Sequence, residues 1–292
     1  MKAAFVSIIG RPSSGKSTLI NTLCGHKVSI ISPIPQTTRN KVRGILTEKE
    51  GQLVFIDTPG YHSSSRKFNS CLTDLVKSSL DEVDIALYVI DSSRPPGEEE
   101  NDLIDTLTKF KGSLVIALNK KDIVKTDNKE LLDLLKQKLD PLAICKISAL
   151  KKEGIQELLK ILFSLSPENE QMYPGDYYTD QNPEFRTSEI IREKALIHAR
   201  QELPHAIYVE ISDMEHNDEK KKLWIRAFLV TERESQKGIL VGKGGAVIRQ
   251  IRIEAQKELN EIFDAYRVFL DLRVKVNKKW KKKDLLLKRM IY

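Results

Sequence analysis

Residues Gly10, Arg11, Pro12, Ser13, Ser14, Gly15, Lys16 and Ser17 follow the spacing G-x-x-x-x-G-K-S. That spacing builds a loop whose consecutive main-chain N–H groups wrap phosphate oxygens. The glycines permit a backbone approach that a Cβ would block. Lys16 neutralises the β- and γ-phosphates, and the Ser17 hydroxyl is placed for Mg²⁺. Ser13, Ser14, Gly15 and Thr18 complete the expected contacts with the nucleotide, and the helix that must start behind the loop adds its dipole. A glycine-rich turn is the plain alternative for this stretch on its own.

Further segments bear on the same chemistry. In Asp57-Thr58-Pro59-Gly60, Asp57 can hold Mg²⁺ through water and the Gly60 N–H can bond the γ-phosphate. In Asn119-Lys120-Lys121-Asp122, the Asp122 carboxylate can accept both N1–H and N2–H of guanine, a pair adenine does not present. The Lys120 stem can cover the base, and Asn119 can tie this loop to the phosphate loop. Ser148-Ala149 would set a backbone N–H against guanine O6. Gln36-Thr37-Thr38-Arg39 could reach over the γ-phosphate, with Thr38 as the second protein ligand of Mg²⁺ and Thr37 as the alternative. Each segment taken singly is an ordinary polar turn. Together, and in this order, they imply binding and Mg²⁺-dependent hydrolysis of GTP, with Lys16, Thr38 and Gly60 as the catalytic residues. Tyr61 stands where many GTPases place a Gln that orients the attacking water, so intrinsic turnover is expected to be slow.

These residues need a frame that brings strand ends together. Apolar runs at Ala3 to Ile9, Lys41 to Thr47, Leu53 to Ile56, Val83 to Ile90, Leu114 to Leu118 and Leu142 to Ile147 predict strands. Helical spacing over Asn101 to Phe110, Lys129 to Leu139 and Ile155 to Leu165 predicts intervening helices. The alternation is that of an α/β fold, a mostly parallel sheet with helices on both faces, which binds ligands at the carboxyl ends of its strands. The alternation stops at Ser166-Pro167, and residues 169–182, rich in Pro, Gly, Asp and Tyr, have the composition of a linker. The expected division is residues 1–168, linker 169–182, and 183–292.

The second part predicts a helix at Ser188 to Glu202, strands at Ala206 to Ile211 and Leu223 to Val230, a glycine-rich turn, a helix at Ala246 to Phe263 and a strand at Arg267 to Val276. This is an α-β-β-α-β unit. Its turn, Gly242-Lys243-Gly244-Gly245, follows G-x-x-G, a pattern in which glycines let a nucleic-acid backbone approach closely, with Lys243 placed to meet phosphate. Helix-start turns often carry the same pattern. Charge adds a second signal. The formal net charge is +7; residues 179–292 hold 24 Lys and Arg against 18 Asp and Glu, whereas residues 1–178 hold 24 against 23. The basic surplus lies in the second part and suits a polyanion, either nucleic acid or an anionic membrane surface. Lys278, Lys279, Lys281, Lys282 and Lys283 surround Trp280 near the end of the chain; this run could bind RNA or lipid headgroups, or be a solvated tail. Cys24, Cys71 and Cys145 have no metal-ligand spacing and fit reduced, buried thiols. The short apolar run after Met1 fits a buried strand better than a signal peptide, and no stretch has the length of a membrane span.

Taken over almost its full length, the chain resembles the Era family of GTPases. The specific points are Gln36-Thr37-Thr38-Arg39, Asp57-Thr58-Pro59-Gly60, Ser188-Glu189-Ile190-Ile191-Arg192-Glu193-Lys194 and the turn at Gly242 to Gly245. The resemblance implies a P-loop GTPase G domain followed by an α+β type II KH domain. It also implies a monomeric bacterial cytoplasmic protein that binds 16S ribosomal RNA near its 3′ end, assists assembly of the 30S subunit, and touches the cytoplasmic face of the cell membrane peripherally. The family replaces the water-orienting Gln with an apolar residue, in line with Tyr61. This chain departs from the family in having Ser13-Ser14 where Asn-Val is usual, a difference that bears on loop dynamics more than on phosphate contact. Two other readings compete: a KH-type RNA-binding protein whose G domain only holds nucleotide, and an ATPase of similar topology.

Overall fold

In the computed structural model, residues 1–32, 37, 40–58, 60, 79–124, 129–198 and 207–278 are described. The chain forms two compact units; the first closes at Asp180 and the second begins at Gln181.

The first unit is built from β1 (Lys2–Ile9), α1 (Lys16–Cys24), β2 (Val42–Thr47), β3 (Gly51–Asp57), β4 (Ile85–Asp91), α2 (Glu98–Leu107), β5 (Ser113–Asn119), α3 (Lys129–Leu139), β6 (Ala143–Lys146) and α4 (Ile155–Leu165). Among the described residues its sheet has six strands in the order β2-β3-β1-β4-β5-β6. β2 runs antiparallel to β3, and the other neighbours are parallel. Strands buried on both faces must be apolar almost continuously, and β3 and β4 are buried at every residue. On one face Leu103, Ile104 and Leu107 of α2 and Leu131 and Leu135 of α3 pack against Ile9, Ala86 and Ile116. α1 and α4 pack together beside β1. The helix predicted from Asn101 begins earlier, at Glu98, because Glu98, Glu99 and Glu100 fill its first turn, where acidic side chains meet the positive end of the helix dipole.

The stretch whose composition suggested a linker follows the first unit as far as Asp180. Pro167 O accepts from Ala3 N, and Ile45 N donates to Tyr178 O. Gly44 bridges Thr179 in antiparallel fashion, and Arg43 pairs with Asp180 at 2.9 Å. Gln52, wholly buried on β3, gives its Nε2 to Tyr173 O at 2.8 Å and accepts at Oε1 from the N–H groups of Met172 and Tyr173, each at 2.9 Å. His26 stacks on Tyr178 with ring centroids 4.4 Å apart.

The second unit comprises α5 (Pro183–His198), β7 (Tyr208–Asn217), β8 (Lys222–Thr231), α6 (Glu234–Val241), a single 3₁₀ turn (Lys243–Gly245), α7 (Ala246–Ile262) and β9 (Arg267–Val276). Its sheet order among the described residues is β7-β8-β9, antiparallel then parallel. The parallel pair requires a crossover, which α6, the turn and α7 supply. Leu223, Ile225, Ala227 and Leu229 alternate along β8 and meet Ile251, Ala255 and Leu259 of α7 and Ile190, Ile191 and Ala195 of α5. The expected α-β-β-α-β order is corrected to α-β-β-α-α-β. The helix that the sequence reading passed over, α6, has only eight residues and buries just Leu240, too little apolar pattern to register. It is started by Gln236, whose Oε1 accepts from the N–H groups of Glu232 and Arg233 at 3.0 Å. β7 runs past the expected end at Ile211 because its polar second half pairs with β8 on an exposed sheet face.

Candidate nucleotide site and nucleic-acid groove

Four of the expected segments sit at the carboxyl ends of parallel strands. The loop 10–17 follows β1, Asp57 ends β3, Asn119 ends β5, and Ser148-Ala149 follow β6. Because those strands share one direction, their ends gather at one edge of the sheet. The loop turns into α1 through Gly15, which holds a left-handed φ of 96°; a Cβ there would collide with the Asn119 amide nitrogen. Ser13 also adopts a left-handed φ, 62°, and is exposed, whereas Ser14 is buried. Thr18 lies in the first turn of α1, half-buried. Lys16 Nζ donates to Gly10 O and Arg11 O, both at 2.9 Å. Burial pulls its ammonium down to about 8 against the opposing fields of Asp57, Glu100 and Glu99. A phosphate in the loop would supply the counter-charge that restores it.

Asn119 is the joint of the site. Its Nδ2 donates to Ser14 O and its Oδ1 accepts from Ala149 N, each at 2.9 Å. One amide thus fastens the phosphate loop, the β5 end and the loop after β6. Thr22 Oγ1 donates to Ala149 O at 2.9 Å, which binds α1 into the same frame. Lys120 has a φ of 67°, and its ammonium pairs with Asp91 at 2.6 Å. Asp91 also accepts from the Ser93 hydroxyl at 2.5 Å. Burial alone would raise the Asp91 pKa, but hydrogen bonds from Lys120 and Ser93 hold it below the usual carboxylate range. Asp122 is exposed, three residues after Asn119, and Ser148 is buried.

At the metal end, Ser17 Oγ donates to Asp57 Oδ2 at 3.0 Å and Ser29 Oγ donates to the same oxygen at 2.7 Å. Ser29 is held in turn by Asn21, whose Oδ1 accepts from the N–H groups of Val28 and Ser29 at 2.8 Å and whose Nδ2 donates to Ser29 O at 2.7 Å. Ser17 and Asp57 offer hydroxyl and carboxylate oxygens, the hard donors that suit Mg²⁺. Among the described residues no cluster of three or more His, Cys, Asp or Glu could hold a metal. Gly60 lies against Pro12 of the phosphate loop, and Thr37 is buried. Thr38, Gln36, Arg39, Pro59 and Tyr61 lie outside the described residues. Ser29 and Asp91 escaped sequence reasoning because each acts across a long sequence separation, on Asp57 and Lys120, and Asn21 because no motif marks its hold on Ser29.

On the second unit, Gly242, Gly244 and Gly245 have φ of 71°, 61° and 78°, left-handed values that L side chains resist. Lys243 and Gly244 are exposed at the tip of the turn. α7 leaves this turn, and Arg252 and Gln256 on it line a groove of about 560 Å³ whose other wall includes Trp224 and Phe269 to Arg273. Gln256 and Asn260 accept from the main-chain N–H groups of Leu270 and Val268 along β9, at 3.3 and 2.8 Å. The groove combines aromatic faces, guanidinium groups and a strand edge, the features that hold unstacked bases. Of the lysine-rich run only Lys278 falls among the described residues. No helix among them is long and apolar enough to cross a membrane.

Comparison with known proteins agrees with this geometry. Residues 5–120 match the family model described as 50S ribosome-binding GTPase, and residues 202–281 match the KH domain model. The chain is 52% identical to GTPase Era of Treponema denticola and 48% identical to GTPase Era of Borreliella afzelii, in both cases over the whole of each chain. Among solved structures it is similar to a point variant of Aquifex aeolicus Era bound to GDP·AlF4⁻, with TM-score 0.92, 32% identity, and coverage of 99% of this chain and 98% of that one. It is equally similar to an Era in complex with MgGDPNP and nucleotides 1506–1542 of 16S ribosomal RNA, with TM-score 0.91, 32% identity and the same coverage.

Proposed function

Since the chain belongs to the Era family of GTPases and hydrolyses GTP, we propose that it is a Mg²⁺-dependent, GTP-controlled binder of 16S ribosomal RNA near its 3′ end that assists assembly of the 30S subunit. The observation that carries this reading is the Asn119 amide, which joins the phosphate loop to the Ala149 N–H and so couples the parts that would hold phosphate and guanine. In this reading residues 1–168 bind nucleotide and residues 183–292 bind RNA, and the protein acts as a monomer in the cytoplasm with only peripheral membrane contact.

Within the site, Lys16 and the loop N–H groups hold the β- and γ-phosphates, Asp122 recognises the purine, and Lys120, steadied by Asp91, covers its face. Ser17 and Asp57 would hold Mg²⁺, with Thr38 as a further ligand and Gly60 N–H on the γ-phosphate. The ion, when bound, neutralises charge that develops between the β- and γ-phosphates. Intrinsic turnover is slow, because Tyr61 cannot set a water as a Gln would. Gly242, Lys243, Gly244 and Gly245 clamp the RNA backbone while the groove along β9 takes bases. The match to a model described as large-subunit binding spans only residues 5–120, the nucleotide-binding half; the full-length likeness to an Era bound to 16S RNA favours the small subunit.

The test is multiple turnover of GTP by the full chain with and without Mg²⁺, with ATP as competitor, alongside crosslinking in cells and sequencing of the attached RNA. Turnover that ATP does not suppress, with crosslinks concentrated at the 3′ end of 16S RNA, is the expected result. Equal competition by ATP, or crosslinks scattered without that preference, would overturn the reading.

A further inference from the structure

The second residue of the phosphate loop is a cation that the nucleotide chemistry leaves without a role. Arg11 does not extend alone into solvent. Its Nη1 donates to Glu100 Oε2 at 2.9 Å and to Pro95 O at 3.3 Å, and its Nε donates to Glu99 Oε2 at 3.3 Å. Glu100 is 3% exposed, and its other oxygen accepts from the Tyr88 hydroxyl at 2.8 Å. Tyr88 is fully buried on β4, and burial together with Glu100 keeps its hydroxyl protonated, hence a donor. A buried carboxylate is thus fixed between a phenol of the sheet and a guanidinium of the phosphate loop. The cluster stands beside the phosphate site, because the carbonyl of the same Arg11 accepts from Lys16 Nζ.

Two carboxylates in such a place would repel a polyphosphate. Their field reaches the loop, since Glu100 and Glu99 both act on the Lys16 ammonium. Arg11 is the group placed to cancel it, and its planar fork matches carboxylates better than a lysine would.

We propose that Arg11 is a positioning and specificity residue of the GTP site: by neutralising Glu99 and Glu100 it shields the nucleotide phosphates from two acids, and it favours the triphosphate over the diphosphate. The preference follows from charge, since an unshielded field acts more strongly on the nucleotide that carries one phosphate more. The proposal rests on the reading that residues 10–17 hold the phosphates.

The experiment measures affinity of the full chain for fluorescent GDP and for a fluorescent non-hydrolysable GTP analogue, at low and high salt. Arg11→Ala is expected to weaken the GTP analogue about tenfold and GDP only a few-fold, with both defects shrinking at high salt. Adding Glu99→Gln and Glu100→Gln to Arg11→Ala should restore the affinity and the wild-type ratio, because the amide oxygen that takes the place of the Glu100 carboxylate can still accept from Tyr88. That recovery is the readout a purely structural role would not give. Arg11→Lys keeps the charge and should hold the ratio, which preserves the test if the alanine variant does not fold, as judged by thermal unfolding without nucleotide. Equal losses for both nucleotides that persist in the triple variant, or no loss at all, overturn the proposal. Failure of the unmodified chain to bind either nucleotide would sink the loop assignment and the proposal with it.

Discussion

In the proposed reading the specificity of the site depends on the Asp122 carboxylate, whose neighbours are arranged around it rather than on it. Asp122 is exposed, while Asn119 and Lys120 are pinned by Ser14, Ala149 and Asp91. The fixed partners set the loop and leave the Asp122 carboxylate exposed, as the proposed contact with the purine requires. Asp122→Asn should therefore keep the loop and change only what it accepts: GTP affinity is expected to fall by about 3 kcal/mol, over a hundredfold, while xanthosine triphosphate gains. Competition between the two nucleotides checks this, and an unchanged preference for GTP would remove the role given to Asp122. The cysteines give a second residue-scale expectation. Cys24 is buried on α1, and burial pushes its thiol up to about 12; Cys145 is raised as well, by burial and then by Glu157. Because only the thiolate reacts, the raised pKa and the burial of Cys24 both leave it unreactive at pH 8. Iodoacetamide at that pH should leave Cys24 unmodified in native protein and label it in urea, as followed by mass spectrometry. Rapid native labelling would show that α1 opens readily.

At the scale of elements, the segment 167–180 behaves as part of the first unit's edge. Gln52 satisfies three main-chain groups of Met172 and Tyr173 at once. Gln52→Leu keeps the side-chain bulk but leaves these groups without their partner, and is expected to cost about 2–4 kcal/mol of stability in urea unfolding. Chymotrypsin cleavage after Tyr177, which is exposed in the same segment, should speed up correspondingly, and no change in either would mean that the edge strand alone holds the segment. This is also where the sequence was hardest to interpret. Pro, Gly and Tyr without apolar period look like a free linker, and the residue that ties the segment down, Gln52, stands just before the apolar run Leu53 to Ile56, where no pattern marks it. The strands of the first unit were legible because burial on both faces forces continuous apolar runs. The helix α6 was not, because eight residues with one buried side chain leave no period. For the site the division is similar. The residues proposed to touch phosphate or base come in local motifs, whereas Ser29, Asp91 and Glu100 act through contacts formed only once the sheet is assembled.

At the scale of the whole molecule, each unit has its own apolar cluster, so damage to the RNA groove should leave the nucleotide site intact. The turn between α6 and α7 allows a clean version of this experiment. A Cβ at Gly245 meets nothing within 4 Å, whereas one at Gly242 would press on Val247. Gly245→Asp therefore adds a carboxylate at the proposed phosphate clamp with only the strain of a left-handed backbone, and the pair Gly242→Asp with Gly245→Asp adds a second charge at some packing cost. Binding of a single-stranded RNA matching the 3′ end of 16S RNA is expected to weaken about tenfold in the single variant and further in the double one. GTP affinity and turnover should stay at their wild-type values. For the unmodified chain, log affinity plotted against log salt should fall with a slope of about −0.7 per phosphate neutralised; replacing Lys243 by Ala should make that slope shallower by about one such step. If the aspartate variants bound RNA as well as the wild type, the clamp would have to lie elsewhere. The groove along β9, where Arg252, Gln256 and Phe269 converge, would then hold the RNA without help from the turn.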